Sequence, residues 1–132
     1  MAPHSVYAAD GDDEWVAIAC RTDAEWARLA GEIGSAALDS RYATYEGRQA
    51  DRNALEALVG AWTKTRNKFD VQHRLQDLGI PCAAVQRQEE RIDRDPNTSS
   101  WGMWPTVVHS AMGEVRVDGI PVHLSKTDWQ IA

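Results

Sequence analysis

A chain of 132 residues carrying a formal charge of −6 is one domain's worth of polypeptide, long enough to bury a core without disulfide or metal staples. Its 43% hydrophobic and 26% charged residues exclude wholesale disorder, and the acidic balance, with a pI near 5.1, argues against non-specific binding to nucleic acid or anionic membranes. No apolar run approaches the roughly 20 residues that span a bilayer.

Met1-Ala2-Pro3-His4-Ser5-Val6-Tyr7 lacks the charged start and apolar stretch of a secretory signal. Together with two cysteines, Cys20 and Cys82, set apart in apolar stretches, it points to a cytoplasmic protein with buried, reduced thiols. Asn97-Thr98-Ser99 fits a glycosylation sequon, which without a secretory route marks only a surface loop.

In chain order, Val6 to Ala9 is a short extended segment broken by Asp10-Gly11, a hairpin signal because both residues tolerate positive φ. The return strand is Glu14 to Cys20. Trp15, Ala17 and Ala19 face one way and Val16, Ile18 and Cys20 the other, so both faces are apolar and a central strand covered on two sides is expected.

Thr22 and Glu25 have the spacing of a capping box, and Asp23 suits the positive end of a helix dipole. Trp26, Leu29, Ala30 and Ile33 then form one apolar stripe, stopped by Gly34. Ser35 to Tyr45 reads as a connector with a turn at Asp39-Ser40-Arg41-Tyr42. One long helix is expected from Glu46 or Gly47 to Thr63, with Ala54, Leu58, Ala61 and Trp62 as its buried stripe and Leu55 and Val59 beside it.

A third helix, about 68 to 78, carries Val71, Leu75 and Leu78 on one face, ended by Gly79 and Pro81. Cys82 to Val85 is a short strand. Gln88 to Asp93 makes a helical turn or two, ended by Asp95-Pro96, and a loop runs from Asn97 to Gly102. Pro105 to His109 and Glu114 to Val117 form a second hairpin across Met112-Gly113. This order predicts a compact α+β single domain over 1–132, a small, mainly antiparallel sheet with about three helices packed on it.

Visible chemistry is sparse. Asp10-Gly11-Asp12-Asp13-Glu14 is a poor calcium loop, its glycine at the second position and a strand following; it reads as an acidic turn. His4, His73, His109 and His123 show no zinc spacing, so no metal is expected. His73, one turn after Phe69, is expected to be half-buried packing, and a site built from His109, His123 and acidic residues is the weakest enzyme reading. Gly-x-Ser-x-Gly and phosphate-loop patterns are absent. Of six tryptophans, Trp15, Trp26 and Trp62 lie on core stripes, while Trp101, Trp104 and Trp129 fit core packing or an interface equally well.

Several segments, in order, resemble the small domain of the family III CoA-transferases, the formyl-CoA and carnitine-CoA transferase type. They are Ala2 to Tyr7, Gly11 to Ala19, Trp26 with Leu29, Asp39 to Thr44, Arg48, Leu55 with Leu58, Leu75, Gly79 to Val85, Asp95-Pro96, Met112 to Arg116 and Pro121 to Ser125. The sequence departs from the family at Ser5, where glycine is usual. Ala2 stands where the related racemase branch carries glutamate, which disfavours racemase ancestry.

The resemblance implies that the catalytic aspartate, which forms acyl-anhydride and then aspartyl-CoA intermediates, lies in a large domain upstream of the matched region. That large domain also makes most contacts to CoA. The expectation is a truncated relative or fragment of a CoA-transferase, without catalytic residues or a cofactor of its own, acting as a lid or accessory domain. CoA or acyl-CoA belongs to the full-length family. His4, Ser5 and Tyr7 correspond to the edge nearest the active site. The expected partners are a large-domain CoA-transferase chain or a second copy of itself, with no nucleic acid and no membrane. The other reading is a free-standing binding or protein-interaction module that kept the fold and lost the reaction.

Overall fold

A computed structural model describes residues 1–127. The chain forms two compact units, Met1–Val85 and Gln86–Ala132, and is α+β with antiparallel sheets, as its element order predicts.

In the first unit, β1 (His4–Ala8), β2 (Trp15–Ala19) and β3 (Cys82–Val85) form an antiparallel sheet with β2 in the centre. The turn between β1 and β2 is wider than a two-residue hairpin, running through Gly11 (φ 114°) and Asp13 (φ 53°) and closed by a hydrogen bond from the Ala9 amide to the Glu14 carbonyl. One face of the sheet carries Tyr7, Val16, Ile18 and Cys82, all buried, and meets α3 (Arg52–Thr63) and α4 (Lys68–Asp77).

The opposite face corrects the two-sided covering expected for β2. Val6 is 51% exposed, Trp15 40% and Val85 45%; Trp15 is not core, and its indole N–H donates to Asp13 Oδ1 at 2.8 Å. No helix of the first unit covers these side chains. The row Val6, Ala17, Ala83 runs across all three strands in register.

Helix α1 (Asp23–Ile33) forms as predicted. Thr22 Oγ1 accepts from the Glu25 amide at 3.1 Å and the Glu25 carboxylate accepts from the Thr22 amide at 3.3 Å; Trp26, Leu29 and Ala30 are buried. Asp39 caps a 3₁₀ turn, Ser40–Tyr42. The single long helix expected next is two, α2 (Tyr45–Ala50) and α3, broken at Asp51 (φ −121°, ψ 41°). The Asp51 carboxylate accepts from the Arg41 guanidinium at 3.2 Å and the Tyr42 hydroxyl at 3.1 Å, so tying down the 3₁₀ turn competes with helix continuation.

The buried stripe of α3 is Leu55, Val59, Trp62 and Thr63, one position round from the predicted Ala54, Leu58 and Ala61. Both sets have helical spacing, and packing of the larger side chains chooses between them. His73, expected to be half-buried, is exposed on α4, because that helix turns Val71 and Leu75 inward.

In the second unit, α5 (Gln88–Asp93) precedes α6 (Pro96–Ser100). Asp95-Pro96 therefore opens a helix in the stretch expected to be loop: Asp95 caps by accepting from the Asn97 amide at 2.8 Å, and a proline at the first helical position lacks an N–H that would have no partner. The hairpin of β4 (Thr106–His109) and β5 (Gly113–Arg116) follows as predicted, with Val107 opposite Val115. Trp101 is 47% exposed, and Trp104 is partly buried. Trp129 lies outside the described residues. No helix among the described residues is long and apolar enough to cross a membrane.

Candidate functional site

The open face of the first unit's sheet forms a shallow groove of about 820 Å³. Val6, Ala17 and Ala83 line it, with His4, Ser5 and Pro81 at one end. Strand alternation produces this surface: Val6 adjoins buried Tyr7, Ala17 lies between buried Val16 and Ile18, and Ala83 adjoins buried Cys82, so their side chains point to the opposite face.

Of the three residues predicted to edge an active site, His4 and Ser5 line this groove and Tyr7 does not. Tyr7 is 5% exposed, turned toward α3, where its hydroxyl donates to the Glu56 carboxylate. Burial, then that bond and the charge beside it, push its phenol well above the ordinary range.

The start of β1 is held from behind. Ala2 donates its amide to the Cys20 carbonyl at 3.2 Å, and the Cys20 amide returns a bond to the Pro3 carbonyl at 2.9 Å. The Ala2 carbonyl accepts from Arg48 Nε at 2.7 Å. At the far end of the sheet, Lys68 Nζ reaches Glu14 Oε2 at 2.6 Å and the Val85 carbonyl at 3.0 Å.

The groove's chemical capacity is narrow. None of its lining residues is an aspartate or glutamate. Cys82 lies among them, but burial pushes its thiol up to about 12, so at neutral pH it is the protonated, non-nucleophilic form. Cys20, also buried and free, is pushed up to about 12, first by burial and then by the Glu25 charge. The groove offers an apolar floor, an imidazole and a hydroxyl: enough to cover and orient a bound group, with no carboxylate to attack one.

The remaining histidines have local roles. His109 Nδ1 accepts from the amides of Ala111 and Met112 at 3.2 and 3.3 Å, shaping its hairpin turn. His123 stacks on Trp101 with ring centroids 4.3 Å apart. Among the described residues no three His, Cys, Asp or Glu side chains gather as a metal site would need.

Sequence reasoning missed the open face because two apolar faces on one strand read as two-sided burial. Arg48 stands among the segments that resemble the family, and the residues around it, Gly47 and Gln49 to Arg52, carry no local signal of its burial.

Comparison with known proteins supplies the context. The family model described as CoA-transferase family III matches residues 1–132. A probable CoA-transferase, Rv1866, of Mycobacterium tuberculosis is 34% identical over 108 residues, covering 80% of this chain and 14% of the relative. The succinyl-CoA–D-citramalate CoA-transferase of Chloroflexus aurantiacus is 27% identical over 135 residues, covering 98% of this chain and 33% of the relative. The crystal structure of a CaiB/BaiF family protein from Brucella suis superposes with a TM-score of 0.80 at 28% identity, covering 97% of this chain and 32% of that one. The chain thus spans a third or less of the length of these relatives, and it belongs to CoA-transferase family III.

Proposed function

We propose that this chain acts as the small, accessory domain of a CoA-transferase. In this reading it covers an acyl-CoA site whose nucleophilic carboxylate is carried by a separate large-domain segment, and it performs no transfer by itself. The observation carrying this reading is the groove: an exposed apolar sheet face with His4 and Ser5 at its rim and no carboxylate along it. Transfer of CoA between an acyl-CoA and a carboxylic acid needs a carboxylate held against the thioester carbonyl. A surface with an apolar floor and neutral polar groups at its edge suits the opposite wall, which excludes water from a labile acyl intermediate.

The match to about a third of the succinyl-CoA–D-citramalate CoA-transferase and of the Brucella suis structure supports a division of labour in which the rest of such a polypeptide packs on the open face. The two buried, free thiols fit a reducing compartment, which supports the cytoplasm as its location.

The test is acyl-CoA exchange, measured with this chain alone and with a large-domain polypeptide of the family added. Turnover is expected only in the mixture, and Val6→Asp, at an exposed position, is expected to abolish it. Turnover by residues 1–132 alone overturns the reading.

The same apolar face favours a second reading, a free-standing module that self-associates through it. Sedimentation separates the two: concentration-dependent dimers that Val6→Asp abolishes favour the module, and a monomer at high concentration counts against it.

A further inference from the structure

Arg48 is among the largest fully buried side chains of the protein, 1% exposed. An arginine stripped of water is costly unless its N–H groups find acceptors, and here they do. Nε donates to the Ala2 carbonyl at 2.7 Å, Nη1 to the carbonyls of Tyr42 and Ala43 at 2.9 and 3.2 Å, and Nη2 to Asp23 Oδ1 at 2.6 Å. The guanidinium also lies 5.8 Å from the centre of the Trp26 ring.

One planar fork thus ties three segments together: the residue two before His4, the end of the 3₁₀ turn and the first turn of α1. The local sequence is shaped for this reach. Gly47 lets α2 sit tight against the 3₁₀ turn, since a Cβ there would lie 1.9 Å from the Arg41 carbonyl oxygen. A stability role alone would be served as well by an apolar side chain of similar volume. What an apolar side chain cannot do is fix the direction of the Ala2 carbonyl, and with it the path by which the chain enters β1.

We propose that Arg48 is the positioning residue for the groove rim, setting where His4 and Ser5 stand at the end of the open sheet face. The function of that rim rests on the accessory-domain reading above; the clamp itself does not. Because Ala2 is bonded to Arg48 on one side and to Cys20 on the other, loss of the fork releases the first strand from its outer end. It leaves α3 and α4 on the covered face in place.

The experiment is amide hydrogen exchange on the full chain with Arg48→Lys, Arg48→Met and Asp23→Asn, together with the rate at which diethyl pyrocarbonate modifies His4. The exposed His73, His109 and His123 serve as internal references. Arg48→Lys keeps the charge near Asp23 but cannot reach the Ala2, Tyr42 and Ala43 carbonyls at once. It is expected to raise exchange at residues 2–8 and 18–20 by about tenfold or more, to change His4 modification, and to leave the amides of Val59 and Leu75 unchanged. Asp23→Asn, which spares the bonds to the carbonyls, is expected to change residues 2–8 by less than about threefold.

Three results overturn the proposal: a uniform rise across α3 and α4, which marks a merely structural arginine; unchanged exchange at residues 2–8; or full rescue by lysine. If Arg48→Met does not fold, the lysine and asparagine variants still decide. Acyl-CoA exchange with the large-domain polypeptide is read separately. A chain that fails to complement sinks the accessory-domain reading while the exchange data still stand or fall for Arg48.

Discussion

Lys68 and Glu14 form an ion pair across one end of the sheet, Nζ to Oε2 at 2.6 Å, with the lysine side chain 3% and the glutamate 19% exposed. The ammonium also donates to the Val85 carbonyl at 3.0 Å, so the start of α4 holds together the entry to β2 and the exit of β3. Removing one member of a buried pair leaves the other in a poor solvent, at a cost of about 3 kcal/mol. Lys68→Met is therefore expected to lower the urea unfolding free energy by about that amount. Glu14→Gln, which keeps an acceptor for the lysine, is expected to cost less.

Two glycines respond oppositely to alanine. Gly47 packs against backbone, and its Cβ would meet the Arg41 oxygen at 1.9 Å, so Gly47→Ala must move the 3₁₀ turn and is expected to cost about 1–3 kcal/mol. Gly31 is exposed within α1 and has nothing within 4 Å of such a carbon. Gly31→Ala is expected to stabilise by about 0.5–1 kcal/mol through helix propensity. Thermal unfolding of the two variants checks both signs.

The cap of α1 links stability to acid. Burial acts to raise the Glu25 carboxyl, but the Arg21 amide at 2.6 Å, the Arg21 guanidinium and the Thr22 amide outweigh it and hold the group below the usual carboxylate range. Its folded pKa lies below its unfolded one. The stabilisation is therefore present above about pH 4.3, the ordinary glutamate value, and is lost as pH falls through the lowered folded value. Glu25→Gln should flatten the acid limb of a urea midpoint measured between about pH 6 and 3. Thr22→Ala, which deletes the other half of the cap, should cost about 1 kcal/mol at neutral pH.

Both thiols are held in the neutral form by burial, at about 12. The folded pKa is raised, so this contribution to stability is complete below the unfolded thiol value, about 8.5, and is lost as pH rises toward 12. Iodoacetamide labelling at pH 8 is expected to be slow for Cys20 and Cys82 in the folded chain and fast for both in denaturant. Rapid native labelling of Cys82 would show that the groove admits solvent to its thiol.

Signals that act over three or four residues were legible in the chain. The Thr22–Glu25 cap, the Gly34 stop and the second hairpin depend on local backbone bonds and appear where their residues stand. Asp51 and Asp95 misled for one reason: an aspartate can end a helix or begin one, and which it does depends on its acceptors' partners. Asp51 serves Arg41 and Tyr42, ten and nine residues back, beyond any local pattern. The phase of α3 was ambiguous because two sets of apolar residues share helical spacing, and only the sheet beneath chooses between them.

The candidate site divides the same way. His4 and Ser5 were singled out from a resemblance, and the fold brings them to one groove at the outer end of β1; Tyr7, on the same sheet face as Ser5 by strand alternation, lies further along the strand, where its hydroxyl bonds Glu56 of α3. The order of segments in the sequence was by itself enough to specify an α+β chain and its family. Tertiary structure alone decided that β2 is covered on one side and bare on the other, and that Arg48 rather than any exposed residue anchors the rim. Apolar character says that a surface avoids water, whereas its covering depends on whether a second layer of chain is present to pack against it.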